Sequence, residues 1–123
     1  MINKDKTDVN VQFLPCPVDY AFKRIGGKYK GMILWHLSIQ NILRYGELKK
    51  TIPNITTKML TQTLRELEED KLVNRKVFHQ VPPKVEYSLT ETGNELIPFI
   101  EYLHHWGKKQ IENELFEMKR YKN

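Results

Sequence analysis

The fold is decided by residues 55–93, ITTKMLTQTLRELEEDKLVNRKVFHQVPPKVEYSLTETG. Its first part carries leucines at i, i+4 and i+7, the spacing of one buried helix face: Leu60, Leu64 and Leu67. Two runs rich in strand-forming residues follow, at 73–80 and 84–89. Val81-Pro82-Pro83 lies between them and cannot continue a ladder of strand hydrogen bonds. The stretch therefore predicts a helix, then a two-stranded β-wing, then the capped start of another helix.

A second face of the predicted helix holds only side chains that can hydrogen-bond: Thr57, Lys58, Thr61, Gln62 and Arg65. In a DNA major groove, Arg and Gln read the edges of guanine and adenine. We expect Gln62, together with Arg65 or Lys58, to contact base edges. Thr57, at the helix N-terminus, is placed to donate to a phosphate. The alternative interpretation of this face is an ordinary solvated surface.

Positive charge is concentrated in two parts of the chain. The net charge is +5, and positions 20–50 hold seven Lys or Arg residues against one acid, Glu47. The predicted wing adds four basic or titratable side chains: Arg75, Lys76, His79 and Lys84. Basic surface attracts polyanions without regard to their sequence, although it is also compatible with simple solvation. We predict phosphate contacts from Arg44, Lys76 and Lys84.

The whole chain of 123 residues predicts one α+β domain that is mainly helical. Residues 1–14 are expected to form a flexible arm, and shorter helices are expected at 17–25, 28–38 and 45–52, with a very short strand at Leu43-Arg44. One last helix is predicted over 91–118, bent at Pro98. Its apolar residues are too many for so small a domain to cover: Leu96, Phe99, Ile100, Leu103, Trp106, Ile111 and Leu115. We interpret it as a dimerisation helix of a two-fold homodimer, the alternative being a helix folded back on its own core.

Several collinear segments give the chain a family resemblance. They are Cys16-Pro17-Val18, Ile25-Gly26-Gly27-Lys28-Tyr29-Lys30, Arg44-Tyr45-Gly46-Glu47-Leu48, Leu64-Arg65-Glu66-Leu67-Glu68-Glu69-Asp70, Val81-Pro82-Pro83-Lys84-Val85-Glu86-Tyr87-Ser88-Leu89-Thr90 and Trp106-Gly107. Over residues 15–107 the chain resembles the HxlR-type winged helix-turn-helix transcriptional regulators of bacteria. Lys71 departs from the family pattern, which has Gly after the recognition helix. A left-handed turn there would cost a non-Gly residue about 1 kcal/mol.

The resemblance implies a homodimer, built mainly from the first and last helices, that binds duplex DNA at an inverted-repeat operator. Two recognition helices would enter successive major grooves, with the wings on flanking minor grooves or backbone. Family members are repressors or activators, and many of them sense oxidants or electrophiles through the cysteine that matches Cys16. Two alternatives stay open: a regulator of the same fold that answers to a small ligand, and a protein-interaction module that has lost DNA binding.

Cys16 is the single cysteine of the chain, so an intrachain disulfide is impossible. It precedes Pro17 at a predicted helix N-terminus, where the helix dipole favours a thiolate. It could equally pack as a small, inert hydrophobe. The resemblance favours a redox-sensing thiol, which could form a disulfide with Cys16 of a second protomer or with a small thiol.

Other classes of function find little support. The chain shows no Cys/His pair with structural-zinc spacing, so no metal site is predicted. It has no nucleophile triad, glycine-rich phosphate loop or paired carboxylates, so we expect neither an enzyme nor a bound cofactor. No apolar run approaches the length of a bilayer-crossing helix, and residues 1–12 lack an apolar signal core. We therefore expect a cytoplasmic protein without membrane contact.

Overall fold

A computed structural model describes the backbone of residues 14–122 and the side chains of residues 14–120, so nearly all of the predicted arm lies outside the described residues. The elements follow in this order: α1 Pro17–Ile25, α2 Lys30–Gln40, β1 Ile42–Arg44, α3 Tyr45–Thr51, α4 Thr57–Glu69, β2 Val73–Phe78, β3 Lys84–Leu89, α5 Glu91–Glu95 and α6 Ile97–Lys122. Helices α3 and α4 form the helix-turn-helix, and β2 and β3 form the wing. The predicted α+β, mainly helical fold is confirmed.

The hydrophobic core lies where α2, α3 and α4 meet. Its largest fully buried side chains are Ile33, Leu34, Leu37, Leu48, Ile52, Leu60 and Leu67. The predicted leucine stripe of α4 is buried as the i, i+4, i+7 spacing requires. Burying one such side chain contributes about 1.5–3 kcal/mol, so the stripe fixes which face of α4 turns outward.

The sheet has three strands rather than the two predicted for the wing. The strand order is β1-β3-β2, and both pairings are antiparallel. In β1, Leu43 pairs with Tyr87 of β3, and both side chains are buried. The sequence indicated a short strand at Leu43 but could not assign its partner, because three residues carry too little alternation to define a register.

Two capped turns define the ends of the elements around the wing. The Thr56 hydroxyl accepts a 3.1 Å hydrogen bond from the Met59 N–H and so caps the start of α4. After α4, Lys71 adopts φ 60°, the left-handed conformation that costs a residue other than glycine about 1 kcal/mol. Its N–H donates to the Glu68 carbonyl at 3.0 Å, which closes the turn into β2.

The prediction of a single helix over 91–118 is wrong in one respect, because this part of the chain forms two helices. Helix α5 ends at Glu95, and α6 begins at Ile97, so Pro98 occupies the second position of α6. Proline has no N–H, and its ring collides with the carbonyl four residues earlier in a continuous helix. The expected bend is therefore a break at Leu96. Helix α6 then runs without interruption to Lys122, past the predicted end.

Candidate nucleic-acid interface and cysteine site

The outward face of α4 presents most of the predicted base-reading side chains to solvent. Thr57, Lys58, Gln62 and Arg65 are exposed, whereas Thr61 is half-buried. Their separation from the buried leucines follows from the 3.6-residue period of the helix. The structure therefore brings four of the five side chains together on an accessible surface.

Thr61 is held by the helix that precedes the turn. The Tyr45 hydroxyl, at the start of α3, donates to the Thr57 carbonyl at 3.1 Å and lies 2.8 Å from the Thr61 hydroxyl. Because the single phenolic proton goes to the carbonyl, Thr61 donates its own proton to Tyr45. These bonds hold α3 against the first two turns of α4, so Thr61 helps to orient the recognition helix.

Gln62 is also engaged, in a contact that the sequence did not indicate. Its amide nitrogen donates to a carboxylate oxygen of Glu66 at 2.9 Å. The other Glu66 oxygen lies 3.1 Å from the Lys30 ammonium of α2. The hydrogen bond from Gln62 holds the pKa of the Glu66 carboxyl below its ordinary value, and Lys30 lowers it further. Glu66 is therefore ionised at neutral pH and accepts from both partners.

A groove of about 490 Å³ separates α4 from the sheet, and it contains an arginine that was not among the predicted phosphate contacts. It is lined by Tyr45, Thr61, Leu64, Arg65, Glu68, Arg75, Val85 and Tyr87. Arg65 enters it from α4 and Arg75 from β2. Within residues 14–120 neither arginine forms an ion pair. Glu68 is the acid of the lining, so the groove carries a net positive charge.

Strand alternation explains why Arg75 lies in this groove, although the prediction from charge named only Arg44, Lys76 and Lys84 as phosphate contacts. Directly opposed residues of an antiparallel pair share a face of the sheet. Arg75 opposes the buried Tyr87 and therefore faces α4, whereas Lys76 opposes Glu86 and faces the other way. Arg75 lies two residues after the buried Val73, so the two side chains share a face of the strand. This spacing could have predicted from the sequence that Arg75 faces α4.

The predicted phosphate contacts Arg44, Lys76 and Lys84 lie in or beside the face of the sheet that is turned away from α4. Arg44 of β1 pairs in register with Glu86, which also opposes Lys76. The Lys84 ammonium lies 3.5 Å from the Glu86 carboxylate and 4.2 Å from the Phe78 ring centre. Arg44 and Lys76 are exposed, while Lys84 is half-buried and already paired.

Cys16 is exposed at the N-cap position of α1. The main-chain N–H group of Asp19, and to a smaller extent that of Val18, lowers the pKa of the Cys16 thiol. Neither contact meets the distance and angle criteria of a side-chain capping hydrogen bond at the start of α1. The nearby cations have other partners. Lys23 pairs with the Asp19 carboxylate at 3.1 Å, and the Arg24 guanidinium lies 3.4 Å from the Tyr20 ring centre. The exposed amides of the first helical turn therefore favour the thiolate.

Large apolar side chains stand exposed along α6. Four of them recur at i, i+3, i+4 and i+7, the spacing of one helix face: Phe99, Tyr102, Leu103 and Trp106. Trp106 is 56% exposed and Tyr102 is 58% exposed. The Phe22 ring of α1 meets the Phe99 ring edge-on, with centroids 6.2 Å apart, and is itself half exposed. We call the four α6 residues and Phe22 the apolar stripe.

Two of the histidines are neighbours: the rings of His104 and His105 meet edge-on, with centroids 5.4 Å apart. His104 stacks on Trp35 with ring centroids 4.3 Å apart. In the part of the chain that the structure describes, no three His, Cys, Asp or Glu side chains are close enough to share a metal ion. None of the described helices has the length and apolar content needed to cross a bilayer.

The helix-turn-helix, the wing and the polar outer face of α4 define a winged helix-turn-helix transcriptional regulator, a class of DNA-binding proteins that are not enzymes. The model of the HxlR-like helix-turn-helix family matches residues 24–115, and the chain belongs to that family. The HTH-type transcriptional regulator YdeP of Bacillus subtilis is 52% identical over 97 residues, which cover 79% of this chain and 75% of YdeP.

Two of the similar solved structures are described by their redox state. One is the redox regulator HypR in its oxidized form, with 49% identity and a TM-score of 0.73, covering 76% of this chain and 96% of that one. The other is diamide-treated YodB from B. subtilis, with 35% identity and a TM-score of 0.64, covering 78% of this chain and 95% of that one. Both share the fold described above.

Proposed function

We propose that the protein acts as a homodimer that binds an inverted-repeat operator and that oxidation or alkylation of Cys16 changes this binding. The observation that carries the DNA-binding part is the exposed polar face of α4. Lys58, Gln62 and Arg65 project from it beside the groove that faces the wing. Arg and Gln on a helix of this kind match the base edges of the major groove.

The groove between α4 and the sheet fits a phosphodiester of the DNA backbone. Arg65 and Arg75 line it from opposite sides. Arginine binds phosphate oxygens through its fork of N–H donors. Thr57 at the start of α4, and Arg44, Lys76 and Lys84 around the sheet, are the further phosphate contacts. In this arrangement Lys58 and Gln62 contact base edges, whereas phosphate contacts come from Arg65 at the groove, from Thr57 and from the wing.

The apolar stripe supports a homodimer. A row of large apolar side chains at helical spacing, left open to solvent, is the kind of surface that a second copy of the chain covers. Two symmetry-related stripes would bury each other, as an isologous interface requires. A two-fold protein places its two α4 helices in equivalent positions, and an inverted-repeat DNA site matches that symmetry.

Cys16 has the exposure and the lowered thiol pKa that a sensing cysteine needs. A two-electron oxidant such as diamide would take two electrons and two protons from two thiols and leave one disulfide. The partner thiol is Cys16 of the second protomer or a small free thiol. The resemblance to HypR and YodB, which are described in oxidized or diamide-treated form, supports this part of the proposal.

In this proposal, the apolar stripe transmits a change at Cys16 to the DNA-binding surface. Cys16 starts α1, and Phe22 of α1 contacts Phe99 of α6. A covalent change at the start of α1 therefore acts on a helix that packs against the dimerisation helix. A shift of α1 would change the distance between the two α4 helices of the dimer and so the fit to both half-sites.

One experiment tests the whole proposal. The purified protein and a Cys16→Ser variant are titrated with duplex DNA from the upstream region of the gene, with and without diamide. We expect two-fold symmetric protection of a discrete site, and an affinity change with diamide only while Cys16 is present. Equal binding to random duplex and to every fragment of a genomic library would contradict the regulator, and an identical diamide response in Cys16→Ser would contradict the switch.

A second signal is supported by one observation. A groove of about 290 Å³ beside α1 has an entirely apolar lining: Pro17, Val18, Ala21, Phe22, Ile25, Leu96 and Phe99. A small apolar ligand in this groove would act on the same α1–α6 contact as the thiol does. Tight DNA binding that ignores diamide would favour this ligand-responsive form of the regulator.

A further inference from the structure

Glu66 is an acid in the middle of a helix that is otherwise suited to face DNA. Its side chain is 41% exposed, and the Lys30 side chain that pairs with it is 12% exposed. An unpaired carboxylate in this position would repel phosphate, and an unpaired ammonium as buried as Lys30 would be costly. The pair neutralises both groups, so the acid is tolerated near a polyanion. The Glu66 oxygen that does not meet Lys30 accepts the hydrogen bond from Gln62.

From this geometry we propose that Glu66 is a positioning residue that sets the base preference of Gln62, with Lys30 as its anchor. The inference rests on the proposed contact of Gln62 with a base edge. It concerns Glu66 and Lys30, neither of which reads a base itself in this arrangement.

The chemistry of the contact decides which way the amide turns. An ionised carboxylate only accepts hydrogen bonds, so the Gln62 group that meets Glu66 at 2.9 Å must be the NH2 group. The amide is planar, and its oxygen and nitrogen diverge from the same carbon. Fixing the nitrogen towards Glu66 therefore turns Oε1 away from it, and Gln62 is an exposed residue.

The bond also limits what Gln62 can offer. One of its two N–H groups is committed to Glu66, which leaves one acceptor and one donor for a base edge. Adenine presents one donor and one acceptor side by side in the major groove, whereas guanine presents two acceptors. Gln62 held in this way selects adenine over guanine. Without Glu66 the amide is free to turn over, and the distinction is weakened.

The anchor gives this contact its rigidity. Lys30 belongs to α2, which packs in the core, so the ion pair joins the recognition helix to the scaffold rather than to a neighbouring surface side chain. A side chain held at both of its oxygens has few alternative rotamers. A fixed second partner of this kind is what places a recognition group accurately before its ligand arrives.

The test measures the affinity of operator duplexes that differ at one base pair. A Gln62→Ala variant first identifies the base pair that Gln62 contacts. At that pair we expect wild type to prefer adenine over guanine by about 5- to 150-fold. Glu66→Gln keeps the size of the side chain but loses the carboxylate, and it should lower the ratio towards that of Gln62→Ala. Lys30→Met, which releases the carboxylate, should lower the ratio as well.

Two controls separate positioning from charge and from misfolding. Glu69→Gln removes the same charge from the exposed end of the same helix and should keep the adenine preference. The double variant Gln62→Ala/Glu66→Gln should show the same base preference as Gln62→Ala alone, because the two residues act through one contact. Circular dichroism melts show whether each variant folds.

The outcomes are distinguishable. If Gln62→Ala leaves every base preference intact, the base-reading assignment of Gln62 fails and this inference fails with it. If Gln62 sets a preference that Glu66→Gln retains, only the positioning role is overturned. A wild-type preference for guanine, or an equal loss of discrimination in Glu69→Gln, also overturns it.

Discussion

The hydroxyl of Thr90 donates a 2.7 Å hydrogen bond to the main-chain carbonyl of Lys71, nineteen positions earlier in the chain. The same hydroxyl accepts a 2.9 Å bond from the Gly93 N–H and so caps α5. Lys71 has φ 60°, the left-handed conformation that glycine adopts most readily. The turn that follows α4 is therefore tied to the cap of the helix that follows the wing.

This link makes Thr90 a stability determinant away from the DNA-binding surface. Thr90→Ala removes a cap and leaves the Lys71 carbonyl without its partner, and we expect a loss of about 1–2 kcal/mol in the free energy of unfolding. Thr90→Ser keeps the hydroxyl and should lose much less. Urea denaturation at one fixed protein concentration measures both, because the proposed dimer makes stability depend on concentration. Equal losses in the two variants would contradict the role of the hydroxyl.

Gly93 illustrates a second constraint at the same corner. A Cβ at this position would collide with the Leu72 carbonyl oxygen, and main chain cannot move aside as a flexible side chain can. We expect Gly93→Ala to cost about 1–3 kcal/mol, the range of overpacked sites. Gly46 in α3 is the matched control, since a Cβ there meets nothing within 4 Å. Gly46→Ala should be neutral or stabilise the fold by up to about 1 kcal/mol.

The thiol of Cys16 should react at lower pH in the folded protein than in the unfolded chain. The N–H groups of Asp19 and Val18 lower its pKa from the ordinary value of a thiol, so the thiolate fraction at neutral pH is raised. The rate of alkylation by iodoacetamide, followed against pH, should have a lower midpoint in native protein than in urea. Cys16→Ser provides the blank.

A variant of Asp19 distinguishes the two parts of that residue. The pKa is lowered by the main-chain N–H, so Asp19→Ala should retain the lowered midpoint. A midpoint in Asp19→Ala that returns to the value measured in urea would show that the side chain, and its pairing with Lys23, controls the thiol instead.

Local signals in the sequence were sufficient for most of the fold. The spacing of Leu60, Leu64 and Leu67 defined α4, because helical periodicity acts within a few residues along the chain. Proline at 98 marked the interruption before α6, although not that it divides the helix in two. Helices whose ends are set by residues close together in the sequence were therefore predicted well.

The candidate site was predictable only in part, since side-chain partners depend on tertiary contacts. The exposed positions Lys58, Gln62 and Arg65 follow from helical periodicity. The Lys30–Glu66 pair joins residues of two helices, and no spacing rule connects them. The number of positive charges in the wing also carried no information on which face each side chain occupies.

Arg75 is the residue for which sheet geometry leads to the sharpest DNA-binding prediction. Its side chain faces α4 and lines the groove with Arg65, whereas Lys84 on the other face of the wing is already paired with Glu86. In the proposed homodimer, Arg75→Ala would remove two of the proposed phosphate contacts. The slope of log affinity against log salt should therefore become shallower by about 2, with weaker binding to all sequences alike. Filter binding or fluorescence anisotropy over a salt series measures this slope.

Lys84→Ala, a matched charge removal in the same wing, should change the salt slope less than Arg75→Ala does, because part of the Lys84 charge is already neutralised. An unchanged slope in Arg75→Ala, or an equal change in Lys84→Ala, would show that the phosphodiester does not enter the groove between α4 and the sheet.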